Sequence, residues 1–257
     1  MHTEVEIVAE ARRSPRIRCT GGLAVRQTGA ASAHLVGTAA TPLGGDHIEV
    51  LVRLGPGAAL DLGSVAATIA LPAADRVDST SHWRIEVGAG ARLRLDPQPT
   101  VIAGGADHQS VIEVYADADA MIDLHEHIQI GRSASHHPDD ATGRWHGRLH
   151  VDVGDRPILR HGLALGSGSA SAAVGLTTIT SVFRYPDTRP AVVDATHFAA
   201  RLALAGDATL TTSLSEGLAQ GRARCDALEV ATLIDHQRSR QTTAPADSRS
   251  DTGGCWR

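Results

Sequence analysis

The feature that most constrains the fold is a repeated unit of strand, tight turn and strand. Val52-Arg-Leu-Gly-Pro-Gly-Ala-Ala-Leu-Asp-Leu62, Ile85-Glu-Val-Gly-Ala-Gly-Ala-Arg-Leu-Arg-Leu95 and Val114-Tyr-Ala-Asp-Ala-Asp-Ala-Met-Ile-Asp-Leu124 share one pattern, and Val151-Asp-Val-Gly-Asp-Arg-Pro-Ile-Leu159 is a weaker fourth copy. Apolar residues alternate on both sides of each turn, as in a strand with one buried face. The Gly or Asp at each turn supplies positive φ or a side-chain cap. The turns begin at Gly55, Gly88, Asp117 and Gly154, an irregular period that argues against a strict solenoid and for stacked hairpins over one core. Aromatic residues make up only 3% of the chain, so its layers must approach closely on small side chains. These observations predict a mainly β chain of 257 residues in a single domain. Beyond Gly206-Asp207, Leu210, Leu214, Leu218 and Cys225 recur at helical spacing with Asp207 placed as an N-cap, so one or two short helices are expected in the C-terminal part. Residues 1–236 are read as the folded domain. Residues 237–257 are rich in Arg, Ser, Thr and Asp, and are read as a disordered tail.

Composition excludes several function classes. There is no lysine, so all 24 basic residues are arginine, which removes P-loop, Schiff-base and Ser-Lys chemistry together. Gly166-Ser-Gly-Ser169 has the wrong spacing for a nucleophile elbow. Cys19, Cys225 and Cys255 are odd in number and far apart, without a CxxC motif. Net charge is −5, and apart from Arg12, Arg13, Arg16 and Arg18 no basic cluster exists, so nucleic acid is not an expected partner. No run reaches membrane-spanning length, and Met1–Val8 alternates like a strand instead of forming a signal peptide. A cytoplasmic protein is expected.

Two carboxylates stand out because alternation aims them inward. In Met121-Ile-Asp-Leu-His-Glu-His-Ile-Gln-Ile-Gly-Arg132, Glu126 shares a face with Ile122, Leu124, Ile128 and Ile130. In Leu43-Gly-Gly-Asp-His-Ile-Glu-Val-Leu-Val-Arg-Leu54, Asp46 begins the parity of Ile48, Val50 and Val52. A buried, ionised carboxylate is costly unless it meets a cation, donors or water. Each therefore either lines a hydrated path or is satisfied structurally, by capping a turn or pairing with an arginine such as Arg132. Histidines are the second set of candidates: His125, His127, His136, His137, His146 and His150 fall close together, and imidazole is a good nickel or zinc ligand. His125 and His127 lie opposite Glu126, on the face expected to meet solvent. His136 and His137 stand in a Pro/Asp loop suited to weak surface binding.

The ordered set of Leu43-Gly-Gly-Asp46, the Gly-x-Gly-Ala turns, Pro97-Gln-Pro-Thr-Val-Ile102 and Ile130-Gly-Arg-Ser-Ala134 resembles the UreD (UreH) family of urease accessory proteins over roughly residues 16 to 165. The resemblance implies a β-helix-like fold. It also implies a nickel-insertion chaperone that binds apo-urease on one side and the accessory protein UreF on the other, with UreF docking the GTPase UreG. A water-filled tunnel passing Ni2+ onward is part of the same implication. No cofactor is then held permanently, nickel is bound transiently, and the chain is no enzyme. Asp46 and Glu126 become the metal-transit candidates, with His125, His127 and His136 as weaker ones. Two rival readings remain: a metal-independent β scaffold that binds other proteins, and a metal-dependent hydrolase using Asp107, His108, His125 and Glu126 around a catalytic ion.

Overall fold

Alternating apolar strands need a second layer to cover their buried faces, and here that layer is another sheet. The computed structural model describes residues 1–131 and 143–241, with 231–241 as backbone only. It is 58% strand, with one α-helix, and forms a β-solenoid of about three turns. The N-terminal segment forms β1 (His2–Ala9), β2 (Arg16–Thr20), β3 (Leu23–Gln27) and β4 (Ser32–Gly37). The coils follow as β5 (His47–Leu54), β6 (Ala59–Ser64) and the short β7 (Thr68–Ala70), then β8 (Asp78–Val87), β9 (Arg92–Asp96) and the short β10 (Thr100–Ile102), then β11 (Asp107–Ala116) and β12 (Met121–Ile130). The C-terminal part contributes β13 (Arg144–Val153), β14 (Arg156–Gly166), β15 (Thr178–Tyr185), β16 (Val192–Asp194), β17 (Ala199–Leu204), β18 (Ala208–Ser215) and α1 (Leu218–Gln241). One sheet runs β14-β13-β11-β8-β5-β1-β2, and the other runs β16-β17-β18-β15-β12-β9-β6-β4-β3 with β7 and β10 alongside.

The strand–turn–strand units exist where the sequence places them, but in the first three the two strands do not pair with each other. Each turn is a corner that carries the chain from one sheet to the other, and pairing is parallel between successive coils. Val52 lies beside Ile85, Ile85 beside Val114 and Val114 beside Val151. The irregular period is therefore the coil length itself. It varies because the return connections differ while the corner stays constant, which is why period alone points away from a solenoid. The corner alanines Ala58, Ala91 and Ala120 stack in full burial, so small side chains set the close approach of the layers. Gly57 and Gly90 take positive φ at their corners. The fourth unit is a true antiparallel hairpin, β13–β14, and it ends the solenoid sheet.

The C-terminal expectation needs correction. Residues 208–215 form β18, Asp207 sits at φ 57° in the turn before it, and the helix starts only at Leu218. Helical spacing of Leu210 and Leu214 misleads because nearly every residue of β18 is buried, on both faces, and a strand covered twice loses its alternation. Its second cover is α1, a long helix in place of the short ones expected. Leu228 and Cys225 of α1 are buried, and fully buried Arg201 donates to the Leu228 carbonyl at 2.7 Å. Arg189 adds an ion pair to Glu229 at 2.7 Å. The helix runs to Gln241, past the boundary drawn at 236, and residues 242–257 of the expected tail lie outside the described residues.

Candidate functional site

Between the sheets the apolar interior divides into two clusters, one built on the coil stack and a smaller one of Ile102, Ile128, Ile130, Trp145, Leu165 and their neighbours. A layer of polar side chains and a cavity of about 110 Å³ separate them. Room of that size accommodates several waters. Glu126 projects into this layer as the alternation of β12 predicts, and the accessible surface it keeps faces the cavity. Its hydrogen-bond partner is Ser110, whose Oγ lies 3.4 Å from Oε1, and Ser110 in turn accepts the Trp145 indole N–H at 3.1 Å. Among the described residues no cation pairs with Glu126. Burial pushes its carboxyl up to about 7, with only the Ser110 hydroxyl opposing. Arg132, the arginine considered as its partner, lies outside the described residues.

His108 belongs to the same layer. Its ring nitrogens meet Ser79 Oγ at 2.9 Å and Ser81 Oγ at 3.2 Å, and burial lowers it to about 4, so it is neutral at physiological pH. Of the four residues of the hydrolase alternative, His108, His125 and Glu126 border the cavity, but among the described residues the four do not bring their ligand atoms together as a metal-binding group. Asp107 lies on the outer face of β11, 3.7 Å from Arg144, while His108 points inward, and His125 and Glu126 occupy opposite faces of β12.

Asp46 is buried, as its parity requires, but its oxygens are taken. Thr41 Oγ1 donates to Oδ2 at 2.8 Å, the Leu43 amide donates at 2.9 Å, and the Met1 ammonium contacts Oδ1. Burial raises its carboxyl, yet these donors together outweigh burial and hold it below the ordinary value. The glycines before it are dictated by the same turn: a Cβ on Gly44 would stand 1.9 Å from the Arg76 carbonyl oxygen, and Gly45 has φ 87°. Asp46 thus caps this turn, and it reaches the cavity only through Thr41, which lines it.

On the outer face of β12 the expectation of solvent is overturned. His127 is 5% exposed and His125 half-buried, because α1 packs over β15 and β18 next to this strand and its Gly221 lies against Thr180. The two imidazoles meet Asp96, which sequence reasoning missed. Asp96 Oδ1 lies 3.4 Å from His127 Nε2 and 3.9 Å from His125 Nδ1. Asp96 is held far below the usual carboxylate range by His127, against its partial burial, and further by His125 and Arg94. His127 is lowered by burial and by Arg222, with Asp96 opposing. A metal ion would find three ligand atoms here within 4.8 Å of one another. His136 and His137 lie outside the described residues.

The chain is thus a β-solenoid with an interior carboxylate facing a cavity, closed by an antiparallel extension and, among the described residues, one helix. The model of the UreD urease accessory protein family matches residues 4–241, and the chain belongs to that family. It is 35% identical over 171 residues to urease accessory protein UreD 1 of Saccharopolyspora erythraea, covering 66% of this chain and 65% of that protein. With urease accessory protein UreD of a Parafrankia strain it shares 41% identity over 124 residues, 48% of this chain and 40% of the relative. The counterpart in Streptomyces coelicolor is 32% identical over 235 residues, 86% of this chain and 87% of its own. Among the described residues no helix is long and apolar enough to cross a membrane.

Proposed function

We propose that this chain is a non-catalytic chaperone of urease maturation that helps insert nickel into apo-urease and works in the cytoplasm. In this reading it bridges apo-urease to the UreF and UreG accessory proteins and holds Ni2+ only in passage. The observation that carries the metal role is Glu126, an inward carboxylate with one weak hydroxyl partner, facing a cavity large enough for water. A transit path needs ligands that replace part of an ion's hydration without trapping it, and one carboxylate with surrounding water and neutral hydroxyls meets that need. Near pH 7 the Glu126 carboxyl exchanges its proton readily, so a divalent ion can displace that proton. Asp46 serves this path as a positioning residue. It fixes Thr41 at the cavity wall, and its own oxygens are committed to that turn.

The test is genetic and then chemical. Deleting the gene should abolish urease activation even with excess nickel, and full activity in the deletion strain would refute the maturation role. Glu126→Gln should fold and co-purify with urease subunits while yielding nickel-poor urease. Fully loaded urease from that variant would leave the metal-independent scaffold as the correct account.

A further inference from the structure

On the outer face of the second sheet, we infer that Asp96, His125 and His127 form a half-buried binding site for a divalent first-row transition-metal ion. The site rests on coordination chemistry and is independent of the maturation role. Two imidazole nitrogens and one carboxylate oxygen converge from β9 and β12. Asp96 Oδ1 stands 3.4 and 3.9 Å from the two imidazole nitrogens, close to the roughly 3.3 Å that two ligands subtend at a tetrahedral ion with bonds of about 2.0–2.1 Å.

The second observation is how the far sides of these ligands are held. A metal-binding histidine characteristically gives its other ring N–H to a carboxylate or similar acceptor, which fixes the tautomer and turns the lone pair toward the ion. His125 does this: its Nε2 lies 2.9 Å from Asp123 Oδ1, which leaves Nδ1 facing Asp96. His127 directs Nδ1 to Thr180 Oγ1 at 3.4 Å, which leaves Nε2 facing the same oxygen. Asp96 is backed as well, since Arg94 donates to Oδ2 at 2.6 Å and to Asp123 Oδ2 at 2.9 Å, so Oδ1 alone is turned to the histidines. All three ligand atoms are thus oriented toward one point by partners behind them.

Sheet geometry makes room for the cluster. β12 pairs with β9 as far as Leu124–Leu95 and resumes with β10 at Ile128–Thr100. Residues 97–99 belong to neither β9 nor β10, so the ladder is interrupted beside residues 125–127. Arg94, Arg184 and Arg222 face the surroundings of the cluster along with Asp123. These cations limit the affinity and suit an ion that is held and released. The ligand set of two nitrogens and one oxygen suits Ni2+, Co2+ or Zn2+ and disfavours Ca2+ and Mg2+, which prefer all-oxygen shells.

The experiment is titration of the chelator-stripped, full-length chain with CoCl2, followed by visible d–d absorption, with displacement by NiCl2. Wild type should show saturable binding. Asp96→Asn and His125→Ala, both at partly exposed positions, should weaken it at least tenfold while retaining the wild-type melting temperature within a few degrees. Asp123→Asn, which weakens the support behind His125 and the pairing of Asp123 with Arg94 and Arg184, should weaken it by about 10–100-fold. The double variant His136→Ala/His137→Ala should bind as wild type. Unchanged cobalt binding in folded Asp96→Asn and His125→Ala would overturn the assignment, as would loss of binding in the loop double variant alone.

Discussion

Glu126→Gln offers a direct measure of how the interior carboxylate is solvated. In the unfolded chain this carboxyl titrates near its ordinary 4.5, and in the folded chain at about 7. The folded state therefore binds more protons than the unfolded state between those values. The contribution to stability is fully present below about pH 4.5 and is lost as pH rises through 7. At about 1.36 kcal/mol per pH unit, that separation corresponds to roughly 3 kcal/mol. Glutamine has the same shape and cannot ionise, so it escapes this loss, and the stability of the variant relative to wild type should climb by about 3 kcal/mol between pH 4.5 and pH 8. For a domain of this size that is a relative gain in melting temperature of roughly 6–12 °C. Scanning calorimetry of both proteins across this range, with EDTA present to keep adventitious ions off the carboxylate, reads the difference directly. Parallel pH profiles would show that cavity water solvates Glu126 as well as bulk water does. A variant that is less stable than wild type at pH 8 would reveal a cationic partner, and either result would refute an uncompensated interior carboxylate.

Two further outcomes follow from the packing. A Cβ on Gly147 would stand 2.1 Å from the Trp145 indole, so Gly147→Ala must displace the ring that donates to Ser110; chemical denaturation should show a loss of about 1–3 kcal/mol, and an unchanged midpoint would mean that the indole is not fixed there. Burial pushes the Cys225 thiol up to about 12, so in a Cys255→Ser background a thiol-specific reagent at pH 8 should modify half-exposed Cys19 in the native protein and leave Cys225 untouched until unfolding. Rapid native labelling of both would place the helix α1 off the sheet in solution.

Much of the solenoid is legible in the sequence because its signals are local. Each corner carries its own glycine or aspartate and its own buried alanine, and the flanking alternation assigns inward residues without knowledge of the partner strand. Glu126 is found this way, and the structure puts it in the interior. What local pattern does not contain is pairing. A turn between two alternating segments looks the same whether the strands fold back on each other, as β13 and β14 do, or pass into different sheets, as β5 and β6 do. Only the coil-to-coil register separates these cases, and it reveals itself once Val52, Ile85, Val114 and Val151 are seen side by side.

The same gap explains why the outer cluster is only half legible. Period-two alternation states which residues share a face, and it places His125 and His127 together correctly. It does not state what covers that face. Reading the face opposite the core as solvent assumes a bare sheet, and here a helix more than 90 residues further along the chain packs beside it. Asp96 is out of reach for a related reason: nothing near it in sequence marks it, and it meets His125 because a parallel coil of 29 residues brings position 96 beside position 125. In a parallel solenoid each residue's lateral neighbours lie one coil away, so clusters of ligands form at separations equal to the coil length. The sequence signal for such a cluster is therefore a pair of ligand-type residues spaced by the chain's own coil length, as Asp96 and His125 are, and a short metal motif is the wrong pattern to expect in this fold.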